Sequence, residues 1–214
     1  MLDNLGEKCG IFGVYGPGED VARLTFFGLH ALQHRGQESA GIATSDGRRL
    51  HLYAEMGLVS QVFDEDALLA LPGQAAIGHT RYSTTGSSVV CNAQPFHLKG
   101  PAGELAIAHN GNVVNADVMR ADLEARGVTF ETTSDTEVLG KLLVEADGED
   151  WNERFAHLMR RSVGAYSLVI LTKEAVFAVR DPLGIRPLCI GRLNGSGYVF
   201  ASESCALDHL GAEF

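Results

Sequence analysis

Cys9-Gly10-Ile11-Phe12-Gly13-Val14-Tyr15 decides how the rest of the chain is read. The segment reads as a strand, in which Gly10 and Gly13 allow close approach of neighbouring groups. An amphipathic helix follows over residues 19–33, with Val21, Leu24, Phe27/Gly28 and Leu32 at helical spacing. Two short strands, 41–45 and 49–55, flank the hairpin pair Asp46-Gly47. Residues 74–82 and 105–110 read as buried strands, with a loop over 99–103 between them. Three helices come next. The first, 115–126, is expected to be capped by Asn115. The second opens on a Ser134-Asp135-Thr136-Glu137 capping box and runs through Ala146, and the third covers 151–162. The tail returns to strands at 165–172, 175–180, 188–192 and 198–202, the last two joined around Asn194-Gly195. Strands at both ends with helices grouped between them predict an α+β sandwich and not a βαβ parallel sheet.

Composition narrows the function. The 214 residues suit one domain with a sizeable core, and 45% hydrophobic with 21% charged residues is ordinary for a globular protein. A net charge of −10 argues against a nucleic-acid partner, since neutralising phosphates takes clustered Lys and Arg. The apolar runs are too short to span a bilayer. The four cysteines, Cys9, Cys91, Cys189 and Cys205, contain no C-x-x-C pair, which fits neither a zinc module nor a disulfide framework. Free thiols suggest a reducing cytoplasm. No H-E-x-x-H and no P-loop occurs, and no metal site is expected. The leader, residues 1–8, has no basic or apolar region of the kind a secretory signal needs.

Four places could carry chemistry. A cysteine opening a strand is as readily a small core residue as a nucleophile. Removal of residues 1–8 would give Cys9 a free α-amine with an unperturbed pKa of about 7.7–8.0, a general base beside its own thiol. Asn110-Gly111 is either a tight hairpin turn or a pair of oxyanion donors, one amide side chain and one backbone N–H. Arg81, at the end of a buried strand, either makes a structural salt bridge or grips a substrate carboxylate. Asp135 either complements its helix dipole or holds a substrate ammonium. His30, His34, His79, His97 and His109 have no distinguishing context and read as structural or supporting residues.

Taken together, these segments resemble the glutaminase domain of the amidophosphoribosyltransferase family. The matching residues include Cys9-Gly-Ile-Phe-Gly-Val14, Gln33-His-Arg-Gly-Gln-Glu-Ser39, Gly78-His-Thr-Arg-Tyr-Ser-Thr84 and Gln94-Pro-Phe96. They continue through His109-Asn-Gly-Asn112, Ser134-Asp-Thr-Glu137, Gly164-Ala-Tyr-Ser167, Arg180-Asp-Pro-Leu-Gly-Ile-Arg-Pro-Leu188 and Ala201-Ser-Glu-Ser204. Cys-Gly and His-Asn-Gly-Asn are common to amidotransferases with an N-terminal nucleophile, whereas Gln-His-Arg-Gly-Gln-Glu-Ser is associated with the purine enzyme.

The resemblance implies a four-layer αββα fold of the N-terminal-nucleophile hydrolase type. It makes Cys9 the nucleophile and base, and Asn110 and Gly111 the oxyanion donors. Arg81 would bind the α-carboxylate of L-glutamine and Asp135 its α-amine. Arg35 and Gly36 would belong to a loop closing over substrate. Residues 1–8 would be a propeptide and 9–214 the glutaminase domain. The family's phosphoribosyltransferase domain, with its acidic pyrophosphate-binding loop, has no counterpart in this chain, and residues 203–214 would begin the link to it. Magnesium and a 4Fe-4S cluster would belong to the full-length parent, which would be a homo-oligomer in the cytoplasm. Two alternatives remain at this point. One is a glutaminase serving another acceptor such as a sugar phosphate. The other is an unprocessed, catalytically silent module.

Overall fold

A computed structural model describes residues 9–82, 90–146, 148, 150–193, 195 and 197–214. Strand β1 (Cys9–Tyr15) leads into helix α1 (Val21–Ala31) and a 3-10 turn (Gln33–Arg35). Strands β2 (Ser39–Ser45) and β3 (Leu50–Met56) form a hairpin, followed by short helices α2 (Val59–Val62) and α3 (Glu65–Leu69). Strand β4 (Ala75–Arg81), a 3-10 turn (Val90–Asn92), β5 (Phe96–Gly100) and β6 (Gly103–Val113) come next. Helices α4 (Ala116–Ala125), α5 (Asp135–Val144) and α6 (Trp151–Arg161) precede β7 (Gly164–Leu171) and β8 (Val176–Arg180). The chain finishes with β9 (Cys189–Arg192), β10 (Tyr198–Ala201) and α7 (Ser204–His209).

The strands form two antiparallel sheets. Sheet A has the order β3-β2-β4-β1-β10-β9 and sheet B the order β5-β6-β7-β8. Helix α1 covers β1 and β4, those strands face β6 and β7, and α5 covers β5 and β6. This is the four-layer αββα sandwich, with an apolar cluster between each pair of layers. Phe12, Val14 and Ile42 pack with Leu29 of α1, and Leu105 and Ile107 with Leu139 and Leu142 of α5. Between the sheets alanines alternate with larger residues: Ala43, Ala75, Ala106 and Ala108 beside Ile11, Ile77, Val169 and Leu171. Truncating a fully buried leucine such as Leu142 would cost about 2–5 kcal/mol.

Strand alternation aims the side chains that matter. Ile11 on β1 and Ile77 on β4 point into the gap between the sheets, so Cys9 and Arg81, two and four positions along, share that direction. On β6, Ala106 and Ala108 point into the same gap, and so Asn110 does too. The register places Cys9 opposite Arg81, at the end where β6 also runs out. One glycine sets a critical spacing. A Cβ on Gly28 of α1 would come within 2.5 Å of the Phe12 ring, so only glycine lets α1 lie this close to β1.

Several local expectations change. The loop expected over 99–103 is largely strand: Phe96 and Leu98 alternate inward while Lys99 pairs across the hairpin with Glu104. Gly103, at φ +114°, carries the turn. Asn115 occupies the N-cap of α4 without a side-chain capping bond. Its amide instead ties the start of α4 to the junction after α6, donating to Arg161 O at 2.8 Å and accepting from Val163 N at 2.9 Å. The capping box of α5 is half formed. Ser134 accepts from Thr136 N, whereas Glu137 turns to the backbone amides of Glu131 and Thr132. Asp46-Gly47 is the hairpin turn expected, with Asp46 taking the amides of Arg48 and Arg49. Asn194 lies outside the described residues.

Candidate active site

At the end where Cys9 meets Arg81, a cleft of about 340 Å³ opens between the sheets. Cys9, Arg81 and Tyr82 form one wall; His109, Gly111 and Val113 of β6, with residues 133–136, form the other. Of the residues singled out by sequence, Cys9, Arg81, Gly111 and Asp135 line this cleft, and Asn110 lies immediately behind Gly111. Ser83 and Thr84, which complete the Gly78 motif, lie outside the described residues, as does the leader 1–8.

The turn reading of Asn110-Gly111 is overturned. Both residues lie inside the continuous strand β6, paired with Ser167 and Tyr166 of β7. A Cβ on Gly111 would sit 2.2 Å from Ala165 O and 2.7 Å from Tyr166 Cα, so close contact with β7 demands glycine here. Asn110 is 1% exposed, and its Nδ2 is buried with no hydrogen-bond partner among the described residues. An unpaired buried amide costs about 1–3 kcal/mol. That arrangement suits a donor whose acceptor arrives with a substrate.

Cys9 is partly buried. Burial pushes its thiol above the usual range, outweighing a backbone hydrogen bond from Tyr82 and the positive charges of Arg81 and Arg35. The thiol therefore needs a base to ionise near neutral pH. Across the cleft, Asp135 opens α5 and accepts from Val113 N at 3.0 Å. Burial works against its charge, but His109 and the amides of Val113 and Thr136 prevail and hold its carboxyl below the ordinary value.

A buried polar network unread in the sequence supports that wall. His109 Nδ1 lies 3.1 Å from Thr136 Oγ1 and 3.5 Å from Asp135 Oδ1. Gln94 accepts from His109 N at 2.9 Å and donates to Thr136 Oγ1 at 3.0 Å. His79 Nε2 lies 3.2 Å from His109 O. Burial, with the nearby charges of His109 and Arg81, lowers its pKa to about 3, so His79 is neutral at neutral pH. Gln94-Pro95 is a cis peptide. The sequence signals were Gln94-Pro-Phe96 and the threonine within Ser134-Asp-Thr-Glu137; neither says what it will touch.

Arg35 and Gly36 stand elsewhere. They do not line the cleft. Arg35 is buried behind Cys9, donating from Nε to Cys9 O at 2.8 Å and pairing with Glu203. Gly36 is pressed onto β4, where a Cβ would come within 2.6 Å of the Thr80 carbonyl. Among the described residues no group of three His, Cys, Asp or Glu is placed to hold a metal ion. No helix among the described residues is long and apolar enough to cross a membrane.

A cysteine on one wall of a polar cleft and a buried amide donor behind the other, on a four-layer αββα frame, belong to a known class. Residues 79–209 match the glutamine amidotransferase domain, and this chain belongs to that family. Among its relatives, the amidophosphoribosyltransferase of Synechococcus elongatus is 52% identical over 99% of this chain. That of Methanocaldococcus jannaschii is 49% identical over 96%. The chain spans 44% of the length of each of these relatives. The solved glutamine phosphoribosylpyrophosphate amidotransferase from B. subtilis, in complex with ADP and GMP, superposes with a TM-score of 0.88 at 42% identity. That match covers 96% of this chain and 44% of the solved one.

Proposed function

We propose that this chain hydrolyses L-glutamine to glutamate and ammonia through a Cys9 thioester, after the Lys8–Cys9 bond has been cut. The observation that carries the reading is the buried Nδ2 of Asn110 beside Gly111, which has no hydrogen-bond partner among the described residues, behind a cleft lined by Cys9, Arg81 and Asp135. In this mechanism the Cys9 α-amine takes the thiol proton and sulfur attacks the side-chain carbonyl carbon of glutamine. Asn110 Nδ2 and the Gly111 N–H stabilise the oxyanion. The protonated amine passes its proton to departing ammonia, and a γ-glutamyl thioester remains. Water, deprotonated by the same amine, cleaves the thioester and releases glutamate. Arg81 takes the substrate α-carboxylate and Asp135 its α-ammonium, as opposite walls of one cleft suit.

In a full-length protein like the relatives, a phosphoribosyltransferase domain would use the ammonia to convert phosphoribosyl pyrophosphate to 5-phosphoribosylamine, the first committed step of purine synthesis. The match to amidophosphoribosyltransferases along nearly the whole chain supports that acceptor over a sugar phosphate. Magnesium, an iron–sulfur cluster and homo-oligomerisation would belong to that larger protein, and the four free thiols favour a reducing cytoplasm.

Intact mass before and after a glutamine-analogue affinity label tests the reading. Loss of residues 1–8 followed by one adduct, absent in Cys9→Ser, is the expected result. An unprocessed chain that takes no label would instead support the silent module.

A further inference from the structure

Glu203 stands at the junction of β10 and α7, in the N-cap position of α7, yet makes no side-chain capping bond to that helix. An acid there ordinarily accepts amides of the first turn. Its carboxylate turns inward instead. Oε1 pairs with Arg35 Nη1, and Oε2 lies 3.0 Å from His34 Nε2 and 3.7 Å from Cys205 Sγ. Arg35 is 2% exposed, and a cation so buried needs a counter-charge to stay in place. Its Nε donates to the carbonyl oxygen of Cys9 at 2.8 Å.

The turn carrying this guanidinium is itself braced. Gln33 accepts from Val59 N at 2.7 Å and donates to Gly36 O, while Gly36 is pressed against Thr80. The sequence Gln33-His34-Arg35-Gly36 thus builds a fixed strut from the start of α7 to the nucleophile.

We propose that Glu203 is a positioning residue for Cys9, acting through Arg35 on the Cys9 carbonyl oxygen. The inference rests on the glutaminase reading and changes the role of Arg35 and Gly36 from substrate contact to alignment. Once Cys9 is a chain end, no preceding residue constrains it. Holding its carbonyl fixes the Cys9–Gly10 peptide plane, the frame from which amine and thiol are both placed. The same guanidinium keeps a positive charge near the thiol, opposing the effect of burial.

The test compares Glu203→Ala, Glu203→Gln, Arg35→Met and the Glu203→Ala/Arg35→Met double variant in the processed chain. Glu203→Ala is expected to lower kcat for glutamine about tenfold with KM changed less than about twofold, the mark of misalignment and not of lost binding. Glu203→Gln, which still accepts from the guanidinium, should recover most of the loss. The double variant should be no slower than Arg35→Met alone, because both act through one strut. Alkylation of Cys9 by iodoacetamide should slow in Glu203→Ala, its pH profile moving upward.

An unchanged kcat and alkylation profile in Glu203→Ala would overturn the proposal, as would fully additive losses in the double variant. If Glu203→Ala does not fold, Glu203→Met, which also cannot accept from the guanidinium, is read in the same way and decides. Absence of ammonia release by the unsubstituted chain would count against the glutaminase reading. Alkylation needs no glutamine and would still decide the strut.

Discussion

The two walls of the cleft are held by different physics. On the sheet A side, Cys9 and Arg81 sit at paired strand ends, and behind them Arg35 and Glu203 form a charge pair. On the sheet B side, Gln94, His109 and Thr136 hold one another by hydrogen bonds at 2.9–3.1 Å, with Asp135 at their margin. A charge pair tolerates small displacements, because Coulomb attraction falls slowly with distance. A hydrogen-bond network does not, since it weakens steeply with angle. The nucleophile's backbone is thus held by one hydrogen bond from a charge-paired arginine, and the wall that must receive a developing oxyanion by a network of hydrogen bonds.

Substitutions on the sheet B side should therefore act on rate and recognition more sharply than its modest charge suggests. The largest effect is expected at Asn110. Asn110→Ala removes one oxyanion donor and should lower kcat about 10²–10³-fold with little change in KM. A loss under tenfold would mean that the rigid wall is not where charge develops. Asp135→Asn comes next, raising KM for glutamine about 10- to 100-fold, the worth of a hydrogen bond to a charged group. Substrate titration of the variant measures it, and unchanged KM would remove Asp135 from the clamp.

The smallest effect is on stability. His79 titrates near 6.5 when unfolded and at about 3 when folded, so between these values the unfolded chain binds one more proton. Its contribution makes stability fall as pH decreases below 6.5, by up to about 1.4 kcal/mol per pH unit. His79→Gln should flatten that slope in urea melts at pH 5 to 7. An equally steep slope in the variant would place the proton uptake elsewhere.

Much of this could be read in advance because the relevant signals are local. Strand Cys9–Tyr15, the Asp46-Gly47 turn and the order of strands around grouped helices gave the sandwich. The family pattern then brought together Cys9, Asn110, Gly111, Arg81 and Asp135, which the fold does place around one cleft. What escaped were polar side chains whose partners are distant in sequence. Asn115 looked like a cap by local rules, but Val163 and Arg161 compete for its amide. Glu137 looked like half of a capping box, and the loop at 131–132 claims it. Arg35 carried no sign that its partners would be Cys9 and Glu203, because that contact spans β1, the turn after α1 and the end of β10.

The loop 181–188, between β8 and β9, has its own organiser. The Asp181 carboxylate accepts from the backbone amides of Tyr166, Leu183, Ile185 and Arg186, and Arg180 grips the carbonyls of Gly184 and Arg186. Apart from the tie to Tyr166 of β7, these bonds are made within residues 180–186, yet Leu183 is 82% exposed. Side-chain accessibility and amide protection are therefore uncoupled in this segment. In hydrogen–deuterium exchange its backbone would behave as part of the framework, while its apolar tips remain at the surface.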